Sequence, residues 1–180
     1  WKDVMWGVLG HVVGAEHGHL YYAYDSLAYP DKPVELAARL QQVEGLKGVE
    51  GAAVGFFDGE KVLGVARTDK DGLASVRWLP PGEGNYVFEA RVVEAPKSGP
   101  EDLLKLTPAP LRVAARRKET PFVVIDLDHT VVDSSFLRVL FTDAKPMAES
   151  VRVCKRIAEQ YGIIYLTHRP DLLTVKSKTW

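Results

Sequence analysis

The sequence predicts two domains, an antiparallel β-sandwich followed by part of an α/β domain. Between residues 33 and 93, short and often alternating apolar runs are separated by turn residues, which is typical of antiparallel sheets. After residue 120, two continuous apolar runs flank an amphipathic segment, which indicates a parallel unit of strand, helix and strand. The 180 residues are enough for one domain or two modest ones.

The composition narrows the classes of partner. The chain is 46% hydrophobic and 26% charged, with a net charge of −1. This near-neutral balance argues against nucleic acid as the main partner, because a broad basic footprint is missing. Cys154 is the only cysteine, so no intrachain disulfide can form. It falls on the apolar side of a predicted helix and is interpreted as a core residue.

Residues 1–19 are interpreted as an N-terminal extension or a leading strand. The stretch 4–14 is apolar, but it is shorter than the ~18 residues that a membrane span needs. A remnant of a signal peptide or membrane anchor is the alternative. A strand packed on the sandwich is the favoured interpretation, and the localisation stays open.

The predicted sandwich covers residues 20–115. Predicted strands lie at 33–40, 52–57, 61–67, 73–78 and 85–93. The dipeptides Asp58-Gly59 and Asp71-Gly72 predict hairpin turns, since Asp-Gly is a strong turn signal between apolar runs. Residues 94–110 are predicted as a loop before a last strand at 111–115.

Several of these segments resemble bacterial immunoglobulin-like modules. The resemblance rests on residues 29–36, 54–59 and 68–74, and on 81–86, which is similar to their entry into a late strand with a tyrosine at the corner. It implies an immunoglobulin-like sandwich that is either a spacer or a binding platform, and a binding platform would contact a membrane surface or a protein partner. Trp78, Tyr86 and Phe88 could form an exposed aromatic patch, but core packing is the favoured interpretation.

A linker is predicted at residues 116–120, close to a basic run. The run consists of Arg112, Arg116, Arg117 and Lys118. Contact with anionic lipid is one interpretation, and a solvated linker is the favoured one.

The next apolar run leads directly into two carboxylates. Residues 122–125 are apolar without alternation, which predicts a strand covered on both faces, and Asp126 and Asp128 follow at its end. Ligands of parallel sheets bind beyond the carboxyl ends of strands. A divalent cation such as Mg²⁺ would offset the repulsion between the two carboxylates. The alternative is a turn in which the aspartates only cap backbone amides.

A second apolar strand, within residues 161–170, ends in Thr167 and Arg169. Between the two strands, apolar residues recur at helical spacing, at Met147, Val151, Cys154, Ile157, Ala158 and Tyr161. Such a unit sets its two strands parallel, so Asp126 and Thr167 are predicted at the same edge of one sheet.

These two strand ends resemble the first two motifs of haloacid dehalogenase (HAD) phosphatases. Asp126-Leu127-Asp128-His129-Thr130 is similar to the D-x-D-x-T motif, and Tyr165-Leu166-Thr167-His168-Arg169-Pro170 is similar to the second motif, closest to the lipin-type phosphatidate phosphatase branch. The resemblance implies that residues 121–180 are the N-terminal half of a Rossmann-like HAD domain.

The resemblance also implies a role for each site residue. Asp126 would be the nucleophile that forms an aspartyl-phosphate, and Asp128 would be the general acid and base, with a raised pKa. Both would bind Mg²⁺, Asp128 through its main-chain carbonyl. Thr167 would bind the phosphoryl oxygens, while Thr130 would support the loop beside them. Arg169 would either clamp the phosphate or form an ion pair with Asp171 or an aspartate of the first motif.

The chain departs from the family after the second motif. The family's third motif supplies a lysine and its fourth supplies acidic metal ligands, but Lys176 and Lys178 come too soon, and no acidic motif follows. The expected function is Mg²⁺-dependent phosphomonoester hydrolysis by a longer parent protein, with this chain inactive alone. A phosphorylated small molecule or a phospholipid head group such as phosphatidate is the expected substrate. The alternative is a non-catalytic binding or scaffold protein.

Overall fold

The computed structural model describes residues 2–133 and 145–179. The chain forms two compact units, Trp1–Arg117 and Lys118–Trp180. No helix within the described ranges is long and apolar enough to cross a membrane.

The first unit is a β-sandwich preceded by a helix. Its elements are α1 (Lys2–Val13), β1 (His19–Ala23), β2 (Ser26–Ala28), β3 (Val34–Gln42), β4 (Ala53–Asp58), β5 (Lys61–Arg67), β6 (Leu73–Trp78), β7 (Gly84–Glu94) and β8 (Ala109–Ala115). Short 3₁₀ helices lie at Glu44–Leu46 and Glu101–Lys105. One sheet has the order β1-β3-β6, and the other has the order β2-β8-β7-β4-β5.

The two sheets bury one continuous core. The alternation along the strands places their inward side chains between the sheets, as the sequence pattern predicts. The residues with no exposed surface include Leu36, Leu40, Val54, Phe56, Leu111 and Val113. The N-terminal β-sandwich is therefore present. It is not wholly antiparallel, since β2 pairs with β8 in parallel.

The late-strand tyrosine lies at a corner of the sandwich. The Tyr86 hydroxyl donates a hydrogen bond to the Gly82 carbonyl at 2.9 Å. Trp78 packs edge to face on Tyr86 and Phe88, with ring centroids 4.9 and 4.8 Å apart. Phe88 is only 2% exposed. The prediction that these rings belong to the core is confirmed.

The two Asp-Gly turns connect their strands in different ways. Asp58-Gly59 joins β4 to β5 as an antiparallel hairpin, as predicted. Asp71-Gly72 leads into β6, but β6 pairs with β3 and not with β5. The second turn therefore carries the chain from one sheet to the other. Pairing of β6 with β3 places Ala74 in the core.

Lys2–Val13 form a helix, so the described N-terminal residues do not form the leading strand that the sequence favoured. Helix α1 ends at Val13, which is buried, and Gly14 follows with a φ of 77°. This left-handed conformation is common just after a helix, and glycine adopts it without steric cost. The Ala15 amide donates to the Gly10 carbonyl at 2.8 Å and closes the helix end.

The second unit contains β9 (Phe122–Asp126), α2 (Ser150–Ala158), β10 (Gly162–Leu166) and α3 (Thr174–Thr179). A 3₁₀ helix lies at Asp171–Leu173. Strands β9 and β10 are parallel, and Leu166 is opposite Asp126. Ile125 and Cys154 pack on a small cluster of Leu127, Val131 and Val132, so Cys154 is a packing residue, as expected.

The predicted Rossmann-like HAD domain is not shown, and this part of the fold-class prediction is wrong. Such a domain needs a parallel sheet of several strands with helices on both faces. The described part of the second unit has a two-stranded sheet, and Val124 and Leu166 are more than half exposed. Strand residues make up 42% of the structure and helical residues 21%, so the fold is mainly β.

Candidate functional site

The two polar strand ends lie side by side. Asp126 is the last residue of β9, opposite Leu166 of β10, and Thr167 follows directly. The Leu127 amide donates to the Leu166 carbonyl at 2.8 Å and extends the strand pairing by one step. Parallel pairing thus brings Asp128, Thr167 and Arg169 to one edge of the sheet, where the side chains of Thr167 and Arg169 both contact that of Asp128.

Arg169 hydrogen-bonds to the Asp128 carboxylate through Nε and Nη2, on one side of its guanidinium. Nε donates to Oδ1 at 3.0 Å and to Oδ2 at 3.2 Å, while Nη2 donates to Oδ1 at 2.5 Å. The Arg169 side chain is only 2% exposed, and that of Asp128 is 24% exposed. Two-point contacts between guanidinium and carboxylate are among the strong charge-assisted hydrogen bonds in proteins.

Two hydroxyl groups complete this arrangement. Thr167 Oγ1 donates to Asp128 Oδ2 at 2.8 Å, and it also accepts the Arg169 amide at 3.1 Å. On the other side of the guanidinium, Nη1 donates to Ser177 Oγ at 3.2 Å. Ser177 lies on α3, so this helix helps to fix the orientation of Arg169. We call Asp128, Thr167, Arg169 and Ser177 the arginine cluster.

The arginine cluster holds Asp128 as a carboxylate. Partial burial raises the pKa of Asp128, but the hydrogen bonds from Arg169 and Thr167 and the charge of Arg169 outweigh it and bring the pKa below its ordinary value. A general acid must instead carry a proton when the substrate arrives. In this arrangement Asp128 lacks the raised pKa that the acid and base role requires.

The other predicted site residues are exposed to solvent. Asp126 and Thr130 both lie on the surface of the second unit. His129, between them, has a φ of 60°, a conformation that costs a non-glycine residue some strain. Its amide donates to the Val132 carbonyl at 3.0 Å, which supports its interpretation as a loop residue.

The predicted Mg²⁺ ligands fit a cation only in part. The Asp126 carboxylate is exposed, and the Asp128 main-chain carbonyl remains a possible oxygen ligand. The Asp128 carboxylate faces a guanidinium, which would repel a second cation. Among residues 2–133 and 145–179, no group of three His, Cys, Asp or Glu side chains could hold a metal ion. Mg²⁺ therefore stays a prediction.

Two alternatives were predicted for Arg169, and no role was predicted for Ser177. Pairing with an aspartate of the first motif was one alternative, and the structure has this pair. Ser177 lies eight residues after Arg169, beyond a short 3₁₀ helix. A serine eight residues away in the sequence does not indicate a contact with Arg169, because the contact depends on the path of the chain between the two residues.

Two residues of the basic run near the linker, Arg116 and Arg117, contact the sandwich. Arg116 donates to the Gly84 carbonyl at 2.7 Å and to Asn85 Oδ1 at 2.5 Å, and Arg117 pairs with Glu83 at 3.0 Å. These contacts occupy the guanidinium groups near the start of β7. They give the two arginines a structural role, which agrees more with the linker interpretation than with a lipid contact.

Comparison with known proteins does not show a family. No protein-family model matches the sequence, and no curated protein matches it. Among solved structures, the D0-D1 domain of intimin is similar at 15% identity and a TM-score of 0.37, over 54% of this chain and 47% of that one. A CARDB domain from Pyrococcus furiosus with bound di-metal ions is similar at 13% identity and a TM-score of 0.36, over 56% of this chain and 90% of that one.

A complex of titin M10 with an obscurin-like 1 immunoglobulin domain is similar at 15% identity and a TM-score of 0.33, over 54% of this chain and 93% of that one. An engineered protein is also similar, and the chain spans only 20% of its length. These TM-scores are too low to carry an argument about fold or function. The β-sandwich described above rests on its own strand pairing.

Proposed function

We propose that this chain is a non-catalytic binding protein, in which the β-sandwich makes the contact and Asp128 has a structural role as the ion-pair partner of Arg169. One observation carries the non-catalytic part: the Asp128 carboxylate is already bound by Arg169 and Thr167. An aspartate in this state has neither the proton nor the freedom that phosphoryl transfer requires.

The sandwich has an exposed surface suited to a protein partner. Along β7, exposed Val87 alternates with buried Phe88, and on the neighbouring part of the same sheet β5 exposes Val62 and Val65. Near them the Arg91 guanidinium lies 4.6 Å from the centre of the Phe57 ring. Aromatic and arginine side chains are enriched where proteins meet. The resemblance to bacterial immunoglobulin-like modules supports the same role.

The second candidate is phosphomonoester hydrolysis by a longer protein. It is favoured by the position of Asp126, an exposed carboxylate at the same strand ends as Thr167 and Arg169. Asp126 would attack phosphorus and displace the alcohol, and Asp128 would have to leave Arg169 and take up a proton to donate it to the oxygen of this leaving group. Mg²⁺, held by Asp126 and the Asp128 carbonyl, would supply charge stabilisation. A phosphorylated small molecule or a phospholipid such as phosphatidate would be the substrate.

Phosphate release by the longer protein separates the two candidates, because the hydrolase hypothesis expects this chain alone to be inactive. We expect the longer protein to release no more phosphate than its Asp126→Asn variant from p-nitrophenyl phosphate or from phosphatidate vesicles, with or without Mg²⁺. The substitution keeps the size of the side chain and removes the nucleophile. Release by the unaltered longer protein that disappears in Asp126→Asn would contradict the non-catalytic proposal and establish the hydrolase.

A further inference from the structure

The outer face of the five-stranded sheet has an aromatic ring set among three valines. Gly55 of β4 is buried, and a Cβ there would lie 2.6 Å from the Phe57 ring and 3.3 Å from Val93. The Phe57 ring therefore lies over Gly55, in the space that a side chain at that position would fill. On β5, Val65 is opposite Gly55 and Val62 is opposite Phe57. We call Phe57, Val62, Val65 and Val93 the Phe57 patch.

The Phe57 patch is a solvent-facing apolar surface. Its three valines are each about half exposed, although β5, β4 and β7 lie side by side in one sheet. Because Gly55 has no side chain, the Phe57 ring lies low on its own strand and the face stays flat. Exposed apolar surface that is bordered by polar groups often marks the place where another protein binds.

Two ion pairs flank the Phe57 patch, and both are closed within the chain. Arg67 Nη2 donates to both oxygens of the Glu94 carboxylate. Arg91 Nη2 donates to Glu89 Oε2 at 2.9 Å, and the same guanidinium lies over the Phe57 ring. The two positive and two negative charges cancel. A partner of opposite net charge therefore gains little here, whereas a second copy meets none of the repulsion that separates two faces of like charge.

We infer that the Phe57 patch binds the same patch of a second copy of this chain in a two-fold symmetric dimer. A two-fold contact sets one surface against itself, so the surface must complement itself in charge and polarity. An apolar centre with an aromatic side chain and a polar rim is typical of such interfaces. This inference rests on the proposed binding role of the β-sandwich and names its partner.

Sedimentation equilibrium of the full chain tests the dimer. We expect the average mass to rise toward twice that of one chain between about 5 and about 200 μM, the range in which a modest interface forms. Val65→Glu would bury an unpaired carboxylate in the contact, so it should weaken dimerisation at least about tenfold, which corresponds to about 1.4 kcal/mol.

Leu79→Glu is the matched control, since it adds the same charge at an equally exposed position. Leu79 is 56% exposed and Val65 is 55% exposed, but Leu79 follows β6 of the other sheet. Leu79→Glu should dimerise like the unaltered chain. If circular dichroism shows that Val65→Glu does not fold, Val62→Glu replaces it.

Two results would overturn the dimer. One is a chain that stays monomeric up to about 200 μM. The other is an association that Val65→Glu weakens no more than Leu79→Glu does, since the contact would then lie elsewhere on the molecule. Neither result bears on the non-catalytic part of the proposed function, because phosphate release tests that part separately.

Discussion

Replacing Gly72 by alanine is expected to destabilise the β-sandwich by about 4 kcal/mol or more. Gly72 has a φ of 77°, and a Cβ there would lie 2.0 Å from the Leu40 carbonyl oxygen and 3.0 Å from the Gly48 Cα. The obstacle is backbone, and the Gly72 carbonyl also accepts the Leu40 amide at 2.9 Å. The segment cannot move without losing this bond. Losses of this size are rare and arise from clashes within packed regions.

Urea unfolding of the full chain, followed by circular dichroism, measures this effect, and amide exchange locates it in the first unit. Two glycines act as matched controls. Gly59 has a φ of 58°, and nothing lies within 4 Å of an added Cβ. Gly59→Ala should therefore reduce the stability by about 1 kcal/mol, through backbone strain alone. Gly82 also has open space, and alanine there should change little. A loss in Gly72→Ala no larger than in Gly59→Ala would contradict the packing described here.

Replacing Arg169 by methionine is expected to destabilise the second unit by about 2–3 kcal/mol. The substitution leaves the Asp128 carboxylate partly buried without its cation, and removing one partner of a buried pair is costly. The expected loss of stability is smaller than for a fully buried pair, because the Asp128 side chain is 24% exposed and water can reach it. Urea unfolding with amide exchange in residues 145–179 measures the loss.

The exposed pair of Arg67 and Glu94 offers a matched control. Arg67 Nη2 donates to both oxygens of the Glu94 carboxylate, at 2.8 and 2.9 Å, but both side chains are more than half exposed. Arg67→Met should therefore cost no more than about 1 kcal/mol. Equal losses in the two variants would mean that burial does not strengthen the Arg169 pair.

The sequence predicted local features well where a few neighbouring residues decide them. Asp58-Gly59 forms the predicted hairpin because the backbone conformation of these two residues is enough to specify the turn. The parallel pairing of β9 with β10 follows from one strand, helix and strand unit. The burial of Phe88 follows from its alternation with exposed neighbours in β7.

Features that depend on distant contacts were not predictable. Asp71-Gly72 has the same turn signal as Asp58-Gly59, but contacts with Leu40 and Gly48 direct it to the other sheet. Helix α1 is apolar on most sides, so its pattern did not separate strand from helix. The two motifs at residues 126–130 and 165–170 suggested a Rossmann-like domain, yet a short motif specifies the ends of two strands and not the sheet around them.

The state of the Asp128 carboxyl group tests the central claim most directly. A carbon-13 NMR titration of this group in the full chain reports its pKa. We predict a value below the ordinary ~3.9 of aspartate, so that the stabilisation from the Arg169 pair is present at neutral pH and lost as the pH falls through this lowered value. In Arg169→Met the pKa should rise. A raised pKa in the unaltered chain, above about 5, would contradict the account and support the general acid of a hydrolase.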